Sequence, residues 1–90
     1  MISYDKIIRR LERRLKGIGC VTQSCEEYSI QGRDGEIDLY GFDFQKKRLF
    51  AIEVKQTDYH RNKAIKQLAK DEVYLRRLFF DFEPFSLHLF

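Results

Sequence analysis

The sequence predicts a small α/β domain, on three observations. Apolar residues recur at helical spacing in two segments, two intervening runs alternate apolar and polar residues, and turn-forming residues punctuate the chain. In order, the elements read helix, three strands, helix, strand, with no internal repeat, low-complexity stretch or linker between them. Ninety residues leave room for one hydrophobic core, so residues 1–90 are read as a single domain.

The first helix runs from Tyr4 to Lys16: Ser3 can cap it, Tyr4, Ile8, Leu11 and Leu15 fall on one face, and Gly17 and Gly19 end the pattern. From Cys20 to Ile30, Val21, Thr22, Tyr28 and Ile30 favour a strand, and Gly32 to Gly35 supplies turn chemistry. Glu36 to Phe44 and Leu49 to Lys55 read as a hairpin across the polar stretch Gln45, Lys46, Lys47. Asp58 to Asn62 reads as a loop, after which Ala64, Ile65, Leu68, Leu75 and Phe79 form the stripe of a second helix. Pro84 ends it, and Phe85 to Phe90 reads as a short final strand.

A net charge of +3 permits a polyanionic partner but does not demand one. Cys20 and Cys25 form no C-x-x-C pair and are expected to be reduced, structural thiols. No apolar run approaches the ~20 residues of a membrane span. Met1 to Lys16 is too charged for a signal peptide, so the expectation is a soluble, cytoplasmic protein. So small a core, together with the rings of Phe79, Phe80, Phe82, Phe85 and Phe90, leads us to expect a homodimer.

Candidate chemistry sits on the hairpin. Alternation sends Ile37 and Leu39 to one face and Asp38 to the other, while Phe50, Ile52 and Val54 point opposite to Glu53 and Lys55. A tight turn at Gln45 and Lys46 pairs Asp38 with Glu53; a two-residue register change pairs Asp38 with Lys55 on the same face. Carboxylates opposed at about 5 Å repel unless a cation lies between them. Two carboxylates, a backbone carbonyl and waters suit Mg²⁺, with Mn²⁺ as a substitute, and such an ion contacts substrate phosphates and acidifies bound water. Lys55, roughly 6 to 7 Å beyond Glu53 along the strand, can orient that water or offset phosphate charge. Alone, E-x-K occurs in many proteins on ordinary exposed strands. Within the apolar run Phe50-Ala-Ile-Glu-Val-Lys55, and at hairpin distance from Gly35-Glu-Ile-Asp-Leu39, it is a specific signal.

With these motifs and this order of elements, nearly the whole chain resembles the PD-(D/E)XK nuclease superfamily. Its nearest likeness is to Holliday-junction resolvases and to small phage and archaeal nucleases of the VRR-Nuc or RecB-like type. The resemblance implies a restriction-endonuclease-like core, a central mixed sheet flanked by helices. It also implies a metal-dependent deoxyribonuclease in which Asp38, Glu53 and the Val54 carbonyl bind metal and Lys55 is catalytic.

Such nucleases commonly carry an acid on the first helix. Glu12 is the first choice, about 40° around the helix from Ile8, with Asp5 one heptad earlier as competitor. Gln67, flanking the second helix's stripe, matches a glutamine that orients water or the lysine. The RecB-like pattern places tyrosine four residues later; here that position is Asp71, with Tyr74 further on. Lys63, Lys66 and Lys70, like Lys6, Arg9 and Arg13, read singly as solvated helix faces and collectively as a possible phosphate track. His60 and His88 receive no role. Two other readings stay open: a catalytically idle nuclease-fold module that binds nucleic acid, and a purely structural dimerisation module.

Overall fold

The structure is a computed structural model that describes residues 3–55 and 61–82 in full and 85–89 as backbone. Helix α1 spans Tyr4–Gly17, strands β1, β2 and β3 span Val21–Ile30, Arg33–Asp43 and Arg48–Glu53, helix α2 spans Arg61–Leu78 and strand β4 spans Phe85–Leu89. The strands form one mixed sheet in the order β1-β2-β3-β4, antiparallel up to β3, with β4 parallel to β3. This small α/β arrangement follows the order read from the sequence. The readings on Asp58, His60, Pro84 and Phe90 lie outside the described residues, and no described helix is long and apolar enough to cross a membrane.

α1 starts where the Ser3 side chain accepts a hydrogen bond from the Lys6 amide at 3.3 Å. It ends where the amides of Ile18, Gly19 and Cys20 turn back onto the carbonyls of Leu15 and Lys16, with Gly19 at φ +93°. Ile8, Leu11 and Leu15 are buried with Cys20, Leu39 and Ile52. On the opposite face of the sheet, Tyr28, Ile37, Tyr40, Leu49 and Ala51 pack with Leu75 and Phe82.

The first hairpin turn is tighter than the sequence reading. Gln31 and Gly32, at φ +52° and +77°, make a two-residue loop, and β2 starts at Arg33 rather than Glu36. Gly35 lies within the strand because the Tyr28 ring rests on it: a Cβ there would sit 2.5 Å from Tyr28 Cζ. The second hairpin closes through four residues, 44–47, instead of the two-residue turn. Asp43 accepts from the amides of Gln45 at 3.0 Å and Lys46 at 3.3 Å and pairs with Arg48 at 3.2 Å. Both closures give the same register, with Asp43 opposite Arg48 and Leu39 opposite Ile52.

Alternation fails in the middle of β2. Ile37 packs on the α2 side and Leu39 on the α1 side. The break coincides with Cys25, at φ +53° on β1, which lies between the rungs Ser24–Leu39 and Glu26–Ile37 and thus opposite Asp38. The stripe of α2 also differs from expectation: Leu68, Asp71 and Leu75 are buried, whereas Ile65 is 47% exposed. The buried line descends through residues 68, 71 and 75, and Asp71 takes the place of an apolar residue. Phe42, Phe44, Phe79 and Phe82 meet edge-to-face or tilted, with centroids 4.9 to 5.6 Å apart, so part of the aromatic cluster is satisfied within the chain. Both cysteines are free.

Candidate active site

The β2–β3 ladder ends at Leu39–Ile52, one step short of Asp38 and Glu53, so these carboxylates meet where the two strands part. Asp38 fills the place of the next rung. Its Oδ2 accepts from the Val54 amide at 2.8 Å, and its Oδ1 accepts from the Tyr4 hydroxyl. The side chain thereby ties the first turn of α1 to the end of β3. Burial and the adjoining Asp38 carboxylate raise the Tyr4 phenol, which stays a hydrogen-bond donor.

Glu53 is only 6% exposed. Burial raises its carboxyl most, followed by hydrogen bonds to Asp71 and Asp38 and by their charges, and together these push it up to about 11. Among the described residues no N–H or O–H reaches Glu53 Oε1 or Asp71 Oδ2. A proton on Glu53, favoured by its raised carboxyl, relieves that crowding.

Asp38, Glu53, Val54 and Lys55 share an open cavity of about 360 Å³ with Tyr4 from α1 and with Lys63, Ala64 and Gln67 from α2. The expected set of Asp38, Glu53, Val54, Lys55 and Gln67 is therefore brought together. Glu12 is not: it is half-buried, accepts from Thr22 Oγ1 at 3.1 Å and lines no part of this cavity. Its side chain turns inward to Thr22, but it lies eight residues, about 12 Å of helix, beyond Tyr4 at the cavity end. Asp5 is exposed and likewise outside. Tyr4 is the α1 residue at the site.

Sequence reasoning also missed Asp71, which is fully buried beneath the cavity. Its Oδ1 accepts from the Tyr28 hydroxyl at 2.6 Å and from Gln67 Nε2 at 2.8 Å. Gln67 Nε2 also reaches the Glu36 carbonyl at 3.1 Å and Tyr28 Oη at 3.2 Å. The phenol beside Gln67 thus comes from β1, whereas Tyr74 stacks on Tyr28 at 4.3 Å and donates to Glu26. The available signal for Asp71 was an acid at i+4 from Gln67 on the helix's buried line.

Among the described residues no group of three or more His, Cys, Asp or Glu side chains is arranged as a metal site. The donors present suit a hard cation held by two carboxylates with water completing its shell: Asp38 and Glu53 lie side by side in an open cavity, and Glu53 Oε1 is an acceptor with no donor among the described residues. No protein-family profile, curated protein or solved structure matches the chain.

Proposed function

We propose that the chain is a Mg²⁺-dependent DNA endonuclease with a PD-(D/E)XK site on a restriction-endonuclease-like core. It would be selective for branched or non-standard DNA such as Holliday junctions and flaps. The observation that carries the reading is the pairing of Asp38 with the buried Glu53 in the lining of one cavity that Val54 and Lys55 also line.

In this reading Asp38, Glu53 and the Val54 carbonyl would hold Mg²⁺ or Mn²⁺, which when bound would acidify water and offset charge at the phosphate. Tyr4 keeps Asp38 turned toward the end of β3. Lys55 and Lys63 bring positive charge to the scissile phosphate, and Gln67, fixed by Asp71 and Glu36, orients water in the cavity. A homodimer and a cytoplasmic location belong to the same reading.

One observation favours the idle, nucleic-acid-binding alternative: Glu12 is held by Thr22, so α1 brings no carboxylate to the cavity. Incubation with labelled four-way junctions, flaps, nicked duplexes and linear duplexes in Mg²⁺ separates the two. The nuclease cuts at least one branched substrate and stops in EDTA; binding to all of them without cleavage establishes the alternative, and cleavage undiminished by EDTA overturns the metal mechanism.

A further inference from the structure

α1 carries six basic residues, Lys6, Arg9, Arg10, Arg13, Arg14 and Lys16, and two acids, Asp5 and Glu12. At about 100° per residue from Tyr4, the basic side chains occupy one continuous arc of about 160°, from Lys16 through Arg13 to Arg14. Every side chain in that arc is a cation; the remaining position is Gly17. The acids fall together on one border, and Glu12 is turned to Thr22. All six cations are exposed, and none forms an ion pair among the described residues.

An ordinary solvated helix face mixes signs, because like charges three and four residues apart destabilise it. Here Lys6–Arg10 and Arg10–Arg14 stand at i,i+4 with no acid three or four residues from any of them. Arg10, Arg13 and Arg14 border a surface groove of about 330 Å³. Guanidinium groups prevail, the side chains that bind phosphate oxygens in pairs. The apolar face of the same helix is buried through Ile8, Leu11 and Leu15, so α1 cannot bury that face in a lipid surface.

We propose that the outer face of α1 is a nucleic-acid docking surface whose arginines bind the phosphates of a DNA strand lying two or three nucleotides from the candidate active site. The distance follows from the helix. Tyr4 lines the cavity, and Arg10 to Arg14 lie about 9 to 15 Å along the axis from it. Only this strand position rests on the nuclease reading; the docking face itself does not.

The test is DNA binding in EDTA, where cleavage cannot intervene, by fluorescence anisotropy of a labelled branched duplex across a salt series. One variant replaces Arg10, Arg13 and Arg14 with Gln; a control replaces Arg33, Lys46 and Arg77 with Gln, removing equal charge elsewhere. The α1 variant should bind at least tenfold more weakly at 0.1 M salt, with a log–log salt slope about 3 smaller, while the control slope changes by less than about 1. Gln keeps helix propensity, so the α1 variant should melt no lower than the wild type. Equal losses in both variants mean net charge alone and overturn the proposal. So does wild-type binding to anionic phospholipid vesicles but not to DNA. Binding without cleavage in Mg²⁺ sinks the nuclease reading and leaves the docking face standing; cleavage with unaltered binding in the α1 variant does the reverse.

Discussion

Replacing Glu53 with Gln should change how the stability of the metal-free protein depends on pH. In the unfolded chain the Glu53 carboxyl loses its proton near 4.5, whereas in the fold burial, Asp71 and Asp38 hold it up to about 11. Above pH 4.5 the folded state therefore binds one more proton than the unfolded state, and stability falls as pH rises. One proton corresponds to about 1.4 kcal/mol per pH unit, so between pH 5 and 8 the wild type should lose roughly 4 kcal/mol through this residue. That is a large part of the stability of so small a domain. Glutamine has no proton to lose and offers an N–H to the acceptor-only oxygens around it. The assay is urea denaturation in EDTA at several pH values for both proteins, because groups common to both cancel in the difference. The variant should gain on the wild type steadily as pH rises, and saturating Mg²⁺ should shrink the gap by stabilising only the wild type. Parallel stability curves in EDTA would refute the buried, proton-holding Glu53.

Three further changes probe the frame around the site. Tyr28→Phe removes the phenol donor from the fully buried Asp71 and should destabilise the protein by about 1–3 kcal/mol in denaturant titrations; no loss would mean that Asp71 does not depend on that bond. Gly35→Ala drives a methyl to within 2.5 Å of the Tyr28 ring and should cost about 1–3 kcal/mol, visible as a lower melting temperature, whereas an unaltered melting curve would show that the ring does not rest there. Asp43 is held below its ordinary 3.8 by the Lys46 amide first, then by Arg48 and the Gln45 amide. Its folded pKa being depressed, its contribution is present above 3.8 and is lost as pH falls through the folded value. Asp43→Ala should flatten the acid limb of the stability curve, and an unchanged limb would deny the turn that role.

The hairpin register was legible because the two-residue turn and the observed four-residue loop pair residues with the same sum, so Asp38 was set against Glu53 either way. The pattern of apolar residues likewise placed α1 and the order of strands. What escaped was backbone and burial. The left-handed Cys25 breaks the alternation that sent Ile37 and Leu39 to one face, and nothing in its side chain announces it. Asp71 read as a departure from a pattern because an acid is expected in solvent; only the convergence of Tyr28, Gln67 and Glu53 gives it a buried place. For Glu12 the helical angle was informative and the axial position was not, since sequence periodicity does not tell which end of a helix meets the cavity.

That the Asp38–Glu53 pair and Lys55 carry out metal-dependent phosphodiester hydrolysis is tested most directly by single-turnover cleavage of a bound, labelled branched DNA in Mg²⁺. Wild type, Asp38→Asn and Lys55→Ala are prepared side by side. The wild type should cut, and both variants should bind the DNA with near-unchanged affinity yet cut at least a hundredfold more slowly, in line with the loss of a group acting only on the transition state. Equal cleavage rates in all three proteins, or an inert wild type that binds the same DNA tightly, would contradict it.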